Sequence, residues 1–159
     1  MTDLFRKYDV PAPRYTSYPT VPYWTDSPTG EEWIESLRRV FSRSDSTWSL
    51  YFHVPYCESL CTFCGCNTVI TRDHGVESPY VDRLLSEWNR YLERVPEIRE
   101  RPLRQLHLGG GTPTFLSPAE LGRLLTPILG IGGVKRDPAD FEGSVEIDPR
   151  RTTRDHLET

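Results

Sequence analysis

Apolar residues along this chain change their spacing several times, and each change marks an element. Leu50, Phe52 and Val54 alternate with Tyr51 and His53, the period of a half-buried strand, and predict a strand over 48–54. Further on, Val81, Leu84, Leu85, Trp88, Leu92 and Val95 fall on one face at helical spacing. Ser78 is placed to cap that helix, Pro79 suits its first position, and Pro96 stops it. A second strand over 104–108 runs into Gly109, Gly110 and Gly111. Ser117, Pro118 and Glu120 then open another helix with a capping box. Its apolar face is Leu121, Leu124, Leu125 and Ile128, and Pro127 is expected to kink or end it. A third strand covers 143–147, and a helix begins near Thr153. Upstream, Thr29 and Glu32 form a capping box before a helix whose face is Trp33, Ile34, Leu37, Val40 and Phe41. Residues 1–28 hold five prolines and little periodicity, which predicts an extended arm. Its aromatics, Tyr15, Tyr18, Tyr23 and Trp24, argue that the arm is ordered, since such residues are unusual in disordered tails. The result is an α/β chain, with an arm and helix over 1–45 and alternating strands and helices over 46–159.

Composition narrows the class without deciding the function. Hydrophobic residues make up 36% and charged residues 26%, the balance of a globular protein. The net charge of −4 argues against nucleic acid as a partner. No apolar run approaches the roughly eighteen residues of a membrane span, and no stretch reads as a secretory signal, so a cytoplasmic protein is expected.

All four cysteines lie in one short run, Cys57, Cys61, Cys64 and Cys66. Thiolates so close together repel unless something positive sits among them, and soft sulfur donors favour zinc, Cu(I) or iron–sulfur clusters. The first three read C-x3-C-x2-C, an odd number for a closed four-ligand site. Three thiolates can instead cap three irons of a [4Fe–4S] cube and leave the fourth open to a cofactor. Structural zinc is the first alternative, but it needs a second short-spaced pair, which is missing, and the C-x-C end is cramped. Two disulfides would need an oxidising compartment, and free thiols would leave the clustering unexplained. His53 and His107, both on strands, are expected to be packed and hydrogen-bonded rather than ligands.

The context of this loop resembles the radical S-adenosylmethionine (SAM) superfamily, in which the same spacing follows a first strand. Ser49 to Cys57 looks like the strand feeding the loop, with the aromatic Phe63 just before the third cysteine. Leu106 to Thr114, with its three glycines, resembles the second strand and its motif; Val145 to Arg150 looks like the third strand. Cys66 and the run Arg14-Tyr15-Thr16-Ser17-Tyr18-Pro19-Thr20 are similar to the oxygen-independent coproporphyrinogen III oxidase family. The resemblance covers residue 5 to the last residue. It implies the first half of a partial (β/α)6 barrel, preceded by the arm and helix. An open half-barrel leaves strand edges bare, so the chain is expected to be an N-terminal piece of a longer protein.

The resemblance also implies roles. Cys57, Cys61 and Cys64 would hold the cluster, and SAM would chelate the open iron, with two SAM molecules in the family. Tyr51 and Phe63 match positions flanking SAM; Tyr51 is out of phase with the apolar face of its strand and would point at the site. Gly109, Gly110 and Gly111 match the motif for the methionine amino group, where glycine allows close backbone approach. Thr112 matches a contact to the second SAM. Glu146, an acid between Val145 and Ile147, matches the ribose contact and, if buried, needs partners. Cys66 lies beyond the ligand set, free for catalytic work toward the substrate or for redox work. Arg14 is a candidate for the substrate's carboxylates. The implied reaction is oxidative decarboxylation of two propionates of coproporphyrinogen III to vinyl groups, giving protoporphyrinogen IX in haem biosynthesis. The alternative is a haem chaperone of the same branch, which binds haem instead; such chaperones usually lack both Cys66 and the Arg14–Thr20 run.

Overall fold

The computed structural model describes residues 3–9 and 20–159. The run Arg14 to Pro19, with Tyr15 and Tyr18, lies outside the described residues. The chain divides into two units, residues 1–33 and 34–159.

In the first unit the arm is not extended throughout. A short helix, α1, covers Asp3–Tyr8, and a 3-10 turn covers Val21–Tyr23. Asp3 in the first turn and Arg6 and Lys7 in the last complement the helix dipole, a local signal that needs no apolar periodicity. Tyr23 and Trp24 are exposed. The expected capping box closes this unit: Thr29 N–H donates to Glu32 Oε2 at 2.7 Å, and Glu32 N–H donates to Thr29 Oγ1 at 3.3 Å.

That box starts α2, Gly30–Phe41, whose later part lies in the second unit. Ile34 and Phe41 are buried, but Trp33 and Val40 are exposed, so the buried face is narrower than the sequence pattern suggests. A parallel sheet follows, in the order β1 (Trp48–Val54), β4 (Leu103–Gly110), β5 (Glu142–Val145). Two short strands, β2 (Tyr56–Cys57) and β3 (Val69–Ile70), pair separately, also in parallel. Helices α3 (Glu77–Arg94) and α4 (Pro118–Leu129) connect the main strands, and α5 covers Arg154–Glu158.

The core lies between one face of the sheet and the helices. Phe52 and Val54 of β1 and Leu106 and Leu108 of β4 pack against Val81 and Trp88 of α3 and Leu124 and Ile128 of α4. Trp48 joins three elements, stacked on Trp88 at 6.1 Å and edge-on to Phe41 at 5.9 Å. Full burial of such side chains contributes roughly 1.5–3 kcal/mol each. The opposite face of the sheet carries Tyr51, His53, His107 and Ser144, the polar set left by the alternation.

Several boundaries depart from expectation. Helix α3 starts at Glu77, so Ser78 is inside it and caps nothing. A 3-10 turn, His74–Val76, leads in, and there Asp73 caps by accepting from Gly75 N–H at 2.9 Å. Pro79 still fits, because first-turn N–H groups have no intrahelical acceptor. At α4, Ser117 Oγ accepts from Glu120 N–H at 3.4 Å, but Glu120 turns to Arg123 instead of completing the box. Pro127 does not end α4; the helix runs on to Leu129. The third strand is shorter than expected, leaving Glu146 and Ile147 just past it.

Candidate functional site

The loop bearing the cysteines is closed at its base by β2 and β3. Val69 N–H donates to Pro55 O at 2.7 Å, and Thr71 N–H donates to Cys57 O at 2.9 Å, so the ends of 58–68 are held together. Parallel pairing continues beyond β4 into the glycine turn: Gly111 N–H donates to Val54 O at 2.7 Å and Thr112 N–H to Tyr56 O at 2.9 Å. The two loops thus meet at the carboxyl ends of parallel strands, where open α/β sheets bind ligands. Cys57 Sγ and Thr112 Oγ1 share a 3.3 Å hydrogen bond across that junction.

Between them opens a pocket of about 510 Å³. Its wall brings together Cys57, Cys61, Cys64 and Cys66 with Phe63, Gly110, Gly111, Thr112 and Glu146. These residues come from two loops and the end of β5. Tyr51 and Gly109 are not part of the wall; they stand on the adjoining polar face of the sheet. There the Tyr51 ring stacks on His107 at 5.6 Å and an interplanar angle of 14°.

The glycines are tightly enclosed. Gly110 has φ +113°, and a Cβ there would lie 2.7 Å from the His53 ring. A Cβ on Gly111 would lie 2.8 Å from the backbone of Pro55 and Tyr56. His53 is fixed in turn. The Asn67 carbonyl can only accept, so His53 Nε2 donates to it at 2.9 Å and Nδ1 accepts from the Tyr51 hydroxyl at 3.0 Å. His107 Nδ1 lies 2.6 Å from Ser144 Oγ, and its Nε2 lies 3.5 Å from Glu146. Both histidines therefore have partners within the sheet face.

Glu146 is not a buried acid. Its side chain is 54% exposed because it follows a strand that is exposed along its whole length. It nevertheless has a fixed partner: Gly110 N–H donates to Glu146 Oε2 at 3.0 Å, so the carboxylate spans from β5 to the glycine turn. Phe63 is fully exposed at the pocket mouth.

All four cysteines are unpaired thiols; Cys57 is half-buried and the others are exposed. Among the described residues no three His, Cys, Asp or Glu side chains are gathered for a single metal ion. Thiolates are the donors an iron–sulfur cluster takes, and those that cap different irons are spaced by the inorganic core rather than converging on one point. Partial loss of hydration, then the neighbouring Cys64, holds the Cys66 thiol above its ordinary value. The same loss of hydration, with Glu146 and Cys66 adding to it, raises the Tyr51 phenol.

Sequence reasoning missed the charged side of the pocket. Glu58, Asp148, Arg150 and Arg151 all line it. Arg150 grips Asp148 at 2.8 and 2.9 Å, which lowers the aspartate, and Arg151 Nη1 meets Glu58 Oε2 at 2.7 Å. The only sequence signal was their position, immediately after the first cysteine and after the third strand.

The chain is 40% identical over 151 residues to the oxygen-independent coproporphyrinogen III oxidase of Pseudomonas aeruginosa, covering 93% of this chain and 31% of that protein. It is 37% identical over 155 residues to that of Escherichia coli (strain K12), covering 98% and 32%. Against the Mannheimia haemolytica protein of the same name it is 39% identical over 146 residues, covering 92% of this chain and 94% of that one. The chain belongs to the oxygen-independent coproporphyrinogen III oxidase family.

A solved structure agrees: coproporphyrinogen III oxidase (HemN) from Escherichia coli, described as a radical SAM enzyme, matches with a TM-score of 0.76 and 35% identity. That match covers 98% of this chain and 32% of the other. The fold is therefore the expected one, a partial radical SAM barrel built on a parallel sheet. No family model matches the chain. The chain spans about a third of the length of the Pseudomonas and Escherichia oxidases.

Proposed function

We propose that this oxidase-family chain holds a [4Fe–4S] cluster through Cys57, Cys61 and Cys64 and binds SAM against the cluster loop and the glycine turn. The observation that carries the proposal is the shared pocket: the three candidate ligands, Gly110, Gly111, Thr112 and Glu146 line one cavity. When bound, the cluster supplies the electron that cleaves SAM and so starts hydrogen abstraction from a substrate propionate. The chain's own residues position the cofactors. Gly110 and Gly111 line the pocket with backbone alone and can pack against His53 and Pro55 because neither carries a Cβ, which leaves that backbone within reach of a ligand. Glu146, fixed by Gly110 N–H, offers its remaining oxygen to ribose hydroxyls. Thr112, bonded to Cys57, marks the place of a second SAM. Tyr51 and Gly109 border the SAM site from the sheet face, Phe63 faces adenine from the loop, and Cys66 works toward the substrate.

The reaction proposed for the whole enzyme is oxidative decarboxylation of coproporphyrinogen III to protoporphyrinogen IX, in the cytoplasm, with residues 46–159 as the barrel portion and 1–45 as arm and helix. The relatives named above are oxidases, which supports this reading over the haem-chaperone alternative. Among the described residues no helix is long and apolar enough to cross a membrane.

Anaerobic reconstitution with iron and sulfide, followed by EPR with and without SAM, tests the proposal. Cys57→Ala, Cys61→Ala and Cys64→Ala are each expected to lose the reduced-cluster signal, and Cys66→Ala to keep it. A wild-type signal that SAM leaves unchanged, or a chain that takes up only zinc, would overturn it.

A further inference from the structure

One chain of charged side chains touches the pocket and takes no part in the chemistry above. Glu58 follows the first cysteine, and its carboxylate is only 18% exposed. It has two cationic neighbours from distant segments: Arg151 at 2.7 Å, from beyond β5, and His74 Nε2 at 3.5 Å, from the entrance of α3. The other ring nitrogen, His74 Nδ1, lies 2.5 Å from Glu77 Oε1. Glu77 is buried, and its second oxygen accepts from Ser117 N–H, at the N-terminus of α4, at 2.8 Å. The His74 ring stacks on Phe115 at 4.4 Å and 11°, and Phe115 itself lines the pocket.

An imidazole held between two carboxylates can donate to both only as a cation; the neutral ring carries one N–H. The hydrogen bond to Glu77 raises His74 above its ordinary value of 6.5, against partial loss of hydration, and Glu58 adds to the rise. The charged groups facing His74 are Glu58 from the cysteine loop and Glu77 from α3; Phe115 closes its face, and Arg151 stands behind Glu58.

We infer that His74 is a positioning residue: as a cation it tethers the cysteine loop, through Glu58, to the N-terminal ends of α3 and α4, so the loop is held in register for the cluster at lower pH and loosened as pH rises. The link to the cluster rests on the function proposed above; the tether itself rests on the contacts alone. A cation favoured in the folded state contributes below the histidine's unfolded value and is lost as pH rises through its folded value. The His74 contribution is therefore fully present below the ordinary value of 6.5 and is lost as pH rises above it.

The test compares the full wild-type chain with His74→Gln, Glu58→Gln and Arg151→Gln. Amide hydrogen exchange across 57–66 in the metal-free chain reads the tether without any cluster. In His74→Gln, exchange should be faster than wild type by roughly two- to fivefold near pH 6, the size expected of one partly exposed ion pair. The ratio should fall toward one near pH 9. Glu58→Gln should show the same fall with pH but level off at the Arg151→Gln ratio, because it also removes the Arg151 pair, and adding His74→Gln to it should have no further effect. Arg151→Gln removes a partner that stays charged throughout, so its ratio should be independent of pH. After reconstitution, iron loss to a chelator should follow the same ratios. Equal exchange in wild type, His74→Gln and Glu58→Gln at pH 6 overturns the tether. Altered exchange in a wild-type chain that takes up no iron and sulfide leaves the tether standing and overturns the cluster reading instead.

Discussion

The glycine turn shows how much a single residue type decides at this site. Gly110 lies in a backbone region that L side chains rarely adopt, and His53 cannot easily retreat because both its ring nitrogens are bonded. Gly110→Ala is expected to destabilise the chain by about 1–3 kcal/mol, the scale of a strained left-handed residue. Gly111→Ala meets backbone rather than side chain, at 2.8 Å, and is expected to cost at least as much. Gly65, between Cys64 and Cys66, has nothing within 4 Å of the place its Cβ would take. Gly65→Ala should change stability by less than about 0.5 kcal/mol. Urea unfolding of the three variants tests the contrast, and equal effects would contradict the close fit of the turn around Pro55 and His53. The three glycines were legible in the sequence, but the sequence alone marks them equally. What confines each differs: His107 faces Gly109, while Gly110 and Gly111 meet His53 and Pro55, more than fifty positions away.

At the scale of elements, the periodic signals carried and the capping signals carried only in part. The alternation of Leu50, Phe52 and Val54 matched β1 from end to end, because one face of that strand is buried and the other polar. The helix starts were less legible because their partners are remote. The S-x-x-E pattern at Ser117 suggests that Glu120 returns to cap Ser117 N–H. The buried Glu77 holds that N–H instead, and Glu120 joins Asp82 around Arg123. Glu120→Gln should therefore leave the start of α4 intact, with a change below about 1 kcal/mol, the usual worth of a surface ion pair. Glu77→Ala leaves the Ser117 donor and His74 without their acceptor and should cost about 1–3 kcal/mol. Thermal unfolding of the two variants decides between the caps; a larger loss in Glu120→Gln would restore the local capping box. The charged residues around the cysteine loop were illegible for the same reason. Nothing in the neighbourhood of Glu58 announces that His74 and Arg151 will meet it.

For the molecule as a whole, the least protected feature is the outer side of β5. That strand pairs with β4 on one side and has no strand on the other among the described residues. Its four residues are all exposed, and Val145 sits in register with the buried Leu108, on the face that the helices cover elsewhere in the sheet. Ile147, just beyond it, is also exposed. A bare parallel edge with apolar side chains beside it is a template for another strand. The chain by itself is therefore expected to self-associate at tens of micromolar, roughly the range in which exposed edges and apolar surface drive association. Val145→Lys places a charge on that edge without touching the pocket, since Val145 is not part of the pocket wall. It should shift the association to at least about tenfold higher concentration, as edge lysines do in natural sheets. Sedimentation velocity across a concentration series measures this directly. A wild-type chain that stays monomeric at about 100 µM, within the range where exposed edges normally associate, would show that β5 is shielded. An unchanged profile in Val145→Lys would place the contact elsewhere, with the exposed Ile131 and Phe63 as the next surfaces to substitute.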